Sequence, residues 1–348
     1  MTRPTITDVA NVAGVSKGTV SRVLNDHSKV SDSARAAVHD AIEQLGYRTN
    51  VHARSLATGL NDAIALIIAD ARDQLFRDPT FFELIEGVRD GLAGTKTNLV
   101  LLMGGTEAED RRTVAYLDAG HVDGLIHLNP YLDDPITEGL AGSPLPIVFC
   151  GPRPPLALPG RNWMVTIQHR EGVLQALAHL DAQGAETIAM IGGHPRGVSA
   201  EVRHDAYREW LGDRYDAELY EPGDYSSESG RDALKRLLDR RPDIDAVFCA
   251  SDRMARGALE AIRNRGLAVP DDLLVMGFDD QRLAAGTKPA LNTIHQPIRQ
   301  VGRTAIATLM AALSGASPPD TVLPTTLVVR DSTGVKTEKS RSTTTPRM

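Results

Sequence analysis

A chain of 348 residues is too long for one ordinary core and predicts two to three compact units. Its 42% hydrophobic and 24% charged residues are the balance of a soluble globular protein, and neither an apolar signal region nor a membrane-length run is seen. A cytoplasmic protein with no membrane partner is therefore expected. The net charge of −7 argues against nucleic acid taken alone, but it is unevenly spread. Residues 1–60 hold seven Lys/Arg (Arg3, Lys17, Arg22, Lys29, Arg35, Arg48, Arg54) against five acids (Asp8, Asp26, Asp32, Asp40, Glu43). A basic head on an acidic body suits contact with phosphates at one end only.

In chain order, Thr7 precedes a short helix over Asp8–Ala13, and Gly14 follows where a left-handed cap is wanted. Ser16 caps a second helix, on which Val20 and Leu24 share one face, with Val23 beside them. Lys17, Gly18, Ser21, Arg22 and Asn25 are left outside, a small, cationic, hydrogen-bonding surface of the kind a major groove accepts. A third helix starts at Ser31 or Asp32 and runs to Leu45, with Gly46 as its stop. Val9, Ala10, Val20, Leu24, Val38, Ile42 and Leu45 form the expected three-helix core. Two helices joined by so tight a turn make a helix-turn-helix unit.

Thr5-Ile6-Thr7-Asp8-Val9-Ala10, Ala13-Gly14-Val15-Ser16, Thr19–Asn25 and Leu45-Gly46-Tyr47 resemble the DNA-binding head of the LacI/GalR repressor family. Asn50–Leu56 resembles that family's hinge helix, with Thr49 where its usual proline stands. Eight or nine residues ending in Gly59 are too few to hold a helix alone, so the hinge is expected to order only beside a second copy on DNA. The resemblance assigns major-groove contacts to Lys17, Gly18 and Arg22, and phosphate or base-edge contacts to Ser16, Ser21 and Asn25. Thr5 and Asn50 join the DNA-binding set, and Ala53 and Leu56 would work in the minor groove, Leu56 as a wedge.

From Ala63 onward apolar runs alternate with amphipathic segments. Strands are expected at Ala63–Ala69, Asn98–Met103, Gly124–Leu128, Ile147–Cys150, Thr187–Ile191, Asp245–Ala250 and Leu273–Gly277. Helices are expected at Phe81–Ala93, Glu171–Gln183, Val202–Leu211, Ser227–Arg240, Arg253–Arg265 and Pro297–Leu313. Such alternation implies parallel sheets flanked by helices, enough for two lobes with a cleft between them. Asp78–Phe82, Val122–Ile126, Val269–Asp272 and Gly277-Phe278-Asp279-Asp280 resemble the periplasmic-binding-protein-like effector domain of the same family. The fold class is thus an all-α helix-turn-helix head plus an α/β two-lobed body.

The expected organisation is a head over 1–48, a hinge and linker over 49–60, a body over 61–334 and a disordered tail over 335–348. Within the body, lobe one takes about 61–163 and 293–321, and lobe two about 164–292 and 322–334. The resemblance implies an effector pocket of Phe81, Ser199, Arg203, Tyr225, Ser251 and Asp279, with the cation Arg203 and the carboxylate Asp279 reaching a hydroxyl-rich ligand from different lobes. This chain departs from the family pattern at Gln168-His169, where Asp-Asn is frequent, at Ser251-Asp252, where Asn-Asp is frequent, and in a longer Asp70–Asp78 loop.

Cys150 and Cys249 each close an apolar run and are expected to be buried reduced thiols. No catalytic, metal or cofactor motif is present, so no enzyme and no cofactor is expected. The leading reading is a ligand-responsive transcriptional regulator, in all expectation a repressor. It would bind a near-palindromic operator as a homodimer, the tail lacking tetramerising heptads, with half-sites about 34–36 Å apart. The small-molecule effector is a sugar or sugar derivative. The alternatives are a corepressor-dependent regulator responding to a nucleobase or other metabolite and, in another class, a solute-binding transport protein.

Overall fold

The computed structural model describes residues 4–24, 30–47, 60–68, 78–156, 158 and 160–334. It divides into two compact units, Met1–Asn61 and Asp62–Met348.

The first unit is three helices, α1 (Ile6–Ala13), α2 (Lys17–Leu24) and α3 (Asp32–Leu45). α1 begins two residues earlier than expected: Thr5, not Thr7, is its cap. The Thr5 amide and hydroxyl both donate to the Asp8 carboxylate at 2.8 Å, which holds that carboxyl below its ordinary pKa. Gly14 adopts φ +65°, a conformation only glycine enters freely, and the Val15 amide returns to the Ala10 carbonyl at 3.1 Å. That single left-handed residue turns the chain into α2, where Ser16 Oγ accepts from the Thr19 amide at 3.1 Å. Ser31 caps α3 in the same way. Val9, Ala10, Val20, Val23, Val38 and Ala41 are buried together, with Leu24, Ile42 and Leu45 partly buried against them.

The second unit holds two parallel sheets. The six-stranded sheet runs in the order β11-β5-β4-β3-β1-β2. Its strands are β1 (Ala63–Ile68), β2 (Asn98–Met103), β3 (Gly124–Leu128), β4 (Ile147–Cys150), β5 (Asn162–Ile167) and β11 (Thr321–Leu323). The four-stranded sheet runs β7-β6-β8-β9, from β6 (Ile188–Ile191), β7 (Tyr220–Glu221), β8 (Ala246–Cys249) and β9 (Leu274–Met276). β10 (Thr293–His295) and β12 (Thr326–Val328) pair antiparallel where the chain passes between the sheets. β1 is buried at every position, as a central parallel strand covered on both faces must be.

Helices α4 (Pro79–Leu92), α5 (Glu107–Asp118), α6 (Pro135–Gly139) and α12 (Ile298–Leu313) belong with the larger sheet. Helices α7 (His169–Ala182), α8 (Val198–Leu211), α9 (Ser227–Arg240), α10 (Asp252–Asn264) and α11 (Arg282–Gly286) belong with the smaller. α4 and α12 approach closely because Gly87 and Gly302 face each other's backbones; a Cβ on either would strike the carbonyl of Arg299 or Leu84.

All seven expected strands and six expected helices of the body form. Strands β5, β7, β10, β11 and β12 and helices α5, α6 and α11 are additional. α5 buries only Thr113 and Leu117, too sparse an apolar pattern to announce a helix. β5 continues to Ile167 and β11 to Leu323 inside the larger sheet, past the lobe limits of 163 and 321. Cys150 and Cys249 are buried and free, and burial pushes the Cys150 thiol up to about 12. No helix among the described residues is long and apolar enough to cross a membrane.

Candidate effector cleft and nucleic-acid interface

Between the two sheets lies a cavity of about 110 Å³. Lobe one lines it with residues at the carboxyl ends of three strands: Leu128 and Asn129 after β3, Cys150 and Gly151 at β4, Thr166 and Ile167 on β5. It adds Asp78, Thr80, Phe81 and Leu84 from the start of α4, and Ile298 and Val301 from α12. Lobe two contributes His169, Ser199, Arg203, Tyr225 and Asp279, while Gln296 comes from the crossing chain. This is where parallel sheets present their strand ends.

Five of the six expected pocket residues line this one cavity: Phe81, Ser199, Arg203, Tyr225 and Asp279. Ser251 does not. It is buried, and its hydroxyl accepts from the Met254 amide at 3.2 Å, capping α10. A second correction concerns the charges. Arg203 on α8 and Asp279 after β9 both belong to lobe two, so they do not reach the ligand from different lobes. Lobe one instead offers an apolar wall (Phe81, Leu84, Leu128, Ile298, Val301) with few polar atoms.

The Arg203 guanidinium is heavily committed. Nε donates to His169 Nδ1 at 3.3 Å, Nη1 donates to the Ala250 carbonyl at 2.6 Å, and its face lies 3.7 Å over the Phe278 ring. His169 is 8% exposed, and burial with the adjacent Arg203 charge holds it well below the ordinary histidine pKa. The Asp279 carboxyl, enclosed by protein yet open to the cavity, is pushed well above the usual range by burial and then by the Asp252 charge, with Arg203 opposing. It accepts from Gln296 Nε2 at 2.6 Å and Gln281 Nε2 at 3.3 Å. Burial likewise raises Asp252 to about 7, although the Thr293 hydroxyl and the Gln281 amide donate to it.

Several bridges cross from lobe to lobe. Ser199 Oγ donates to Asn129 Oδ1 at 3.0 Å, Arg196 Nε to Asp133 Oδ1 at 2.7 Å, and Arg253 meets Asp78 at 3.1 Å. Gln281 Nε2 adds bonds to Asp78 and Thr80, each at 3.0 Å. Backbone strain gathers here too: Asn129, Tyr225 and Asp279 have φ of +44°, +67° and +118°. Such conformations cost about 1–3 kcal/mol each and persist where the surroundings enforce them. Tyr225 is held against Gly193, where a Cβ would collide with its hydroxyl.

Sequence reasoning missed Asn129, Thr166, His169 and Gln296 as pocket residues. The strand-end rule was enough to find Asn129, and His169 was already marked as a departure from the family pattern.

In the head, Lys17, Gly18 and Arg22 are exposed and Ser21 half-buried, while Val20 and Val23 on the opposite face are buried. Thr5 and Ser16 are exposed, their side chains already engaged with Asp8 and Thr19. Asn25, Asn50, Ala53 and Leu56, together with the hinge and the tail, lie outside the described residues.

A helix-turn-helix head joined to a two-lobed body with a cleft is the build of a ligand-responsive DNA-binding regulator. Residues 5–50 match bacterial regulatory proteins of the lacI family, and residues 177–333 match the periplasmic binding protein-like domain. The HTH-type transcriptional regulator CelR of Thermobifida fusca is 38% identical over 95% of this chain and 98% of its own length. The ribose operon repressor of Halalkalibacterium halodurans is 34% identical over 94% and 97%. Among solved structures, a CelR–cellobiose complex has a TM-score of 0.75 at 36% identity, covering 95% of this chain and 100% of that one. The lac repressor dimer bound to operator and the anti-inducer ONPF has a TM-score of 0.80 at 28% identity, covering 95% and 99%. The chain belongs to the lacI family of bacterial regulatory proteins, and it is a transcriptional regulator.

Proposed function

We propose that this protein is a sugar-responsive repressor that binds a near-palindromic operator as a homodimer and changes its DNA affinity when a saccharide occupies the inter-lobe cleft. The observation that carries the reading is the cavity itself. On lobe two it offers acceptors and donors suited to hydroxyl groups (Ser199, Asp279 and, nearby, Gln296), and on lobe one a flat apolar wall suited to the C–H face of a pyranose. Similarity to a regulator solved with cellobiose makes that disaccharide the first ligand to try.

Effector binding acts on DNA only through a difference in affinity for two arrangements of the lobes. Asp133–Arg196 and Asp78–Arg253 are formed in the arrangement seen, so a ligand that needs the lobes together favours it. For the dimer, β2 supports a face for a second copy: it is an apolar strand at the sheet edge, with Leu101 and Met103 exposed. Sedimentation at micromolar concentration tests that part, and a monomer there contradicts it.

The ligand reading is tested by thermal unfolding in a panel of mono- and disaccharides, sugar phosphates and nucleobases. A ligand at about 100 times its Kd stabilises the protein by about 2.7 kcal/mol. A saccharide that raises Tm supports the reading; a rise with nucleobases alone contradicts it.

A further inference from the structure

Arg203 stands where a ligand-gripping cation is expected, yet part of it is already committed. Two of its donors are spent on His169 and Ala250, and its face is covered by Phe278. The bond to His169 has a chemical consequence. A guanidinium only donates, so Nδ1 of His169 must be the bare, accepting nitrogen, and the ring proton therefore sits on Nε2. That Nε2–H belongs to a side chain more than nine-tenths buried that lines the cavity, and among the described residues the hydrogen bond His169 makes is the one at Nδ1. Thr166, three residues earlier on β5, lines the same cavity with its hydroxyl buried and unpartnered. Buried polar groups left this way are costly until something arrives to satisfy them.

We propose that His169 is a specificity-determining residue of the cleft: Arg203 locks it in the Nε2–H tautomer, and that N–H donates to an uncharged acceptor oxygen, a hydroxyl or acetal oxygen, of the bound saccharide. This rests on the saccharide reading of the cleft given above. Arg203 is then a positioning residue, which orients the imidazole and excludes its protonated form by placing a permanent cation against Nδ1. A frequent asparagine of the family at this position would also donate, but its amide can rotate and present oxygen instead. An imidazole tied at Nδ1 has no such freedom and demands an acceptor.

The test uses the full chain, calorimetric titration with cellobiose and ¹⁵N NMR of the histidine rings. In the wild type, Nδ1 of His169 shows the signature of an unprotonated nitrogen, and cellobiose shifts the Nε2–H resonance. His169→Phe, which keeps a flat ring without a donor, weakens binding by at least about tenfold. His169→Gln, which restores an acceptor for Arg203 and a donor for the ligand, recovers most of that loss. Wild-type affinity in His169→Phe, or a proton on Nδ1, overturns the role of His169. Failure of the wild type to bind any saccharide, with the tautomer intact, overturns the sugar reading itself. Because the NMR measurement is made on the wild type, it stands even if a variant folds poorly.

Discussion

Asp78, which caps the first turn of α4 in lobe one, meets Arg253 of lobe two at 3.1 Å, and both side chains are largely buried, 15% and 6% exposed. The cap of this helix is thus a charge with its counter-charge in the other lobe. Removing one partner of a buried pair leaves the other uncompensated and costs about 3–5 kcal/mol. Arg253→Ala is therefore expected to weaken saccharide binding by about 100-fold, because only the bridged arrangement loses the pair. Adding Asp78→Asn to it restores a substantial part. Calorimetry on the two variants checks this, and equal affinity in all three proteins would rule out a clamp.

Gly193→Ala tests how Tyr225 is held. A Cβ there strikes the Tyr225 hydroxyl, so the ring must leave the cavity wall. Saccharide affinity should fall about tenfold or more while operator binding without ligand stays within about twofold. Loss of both would show a fold defect instead.

Stability against pH carries two opposing slopes. An unfolded aspartate loses its proton near pH 4, whereas folded Asp252 holds it to about 7. Between those values the folded state binds the extra proton, so stability from this group falls as pH rises. His169 does the reverse: its folded pKa is depressed, the unfolded state binds the proton below about 6.5, and stability rises with pH up to there. Asp252→Asn should therefore remove a decline on the order of 4 kcal/mol between about pH 4 and 7, leaving the like-signed contribution of buried Asp279 and the opposing histidine rise. Denaturant titrations across that range measure it; an unchanged profile would mean that Asp252 is ionised throughout.

The head was nearly transparent to sequence because its signals are local. Gly14, Ser16, Ser31 and Gly46 each act within a few residues of where they stand, and only the first cap was misplaced, from Thr5 to Thr7. Seven of the body's twelve strands were equally visible as apolar runs. What was not visible depends on chain crossings. His169 and Arg203 lie on different helices, and nothing local says that one accepts from the other. Arg203 and Asp279 were expected to grip the ligand from different lobes, although the lobe limits of 164–292 already held both. Ser251 was taken for a pocket residue when its own helix needed it as a cap.

In the head, Arg22 lies exposed on α2 opposite Val20 and Val23. If it reads a guanine edge, Arg22→Ala costs about 1–3 kcal/mol on operator DNA and far less on random duplex. Competition binding at fixed salt separates the two; equal losses on both would reduce Arg22 to a phosphate contact.

The most direct test of the whole account joins cleft to head. An operator selected from random palindromic duplexes is labelled, and its Kd is measured by fluorescence anisotropy with and without a saturating concentration of the saccharide that raises Tm most. The account predicts a change of at least about tenfold, which is a coupling of about 1.4 kcal/mol. The same change should be absent in Arg203→Ala, which still binds operator. An operator affinity that stays constant while the saccharide is demonstrably bound would contradict it.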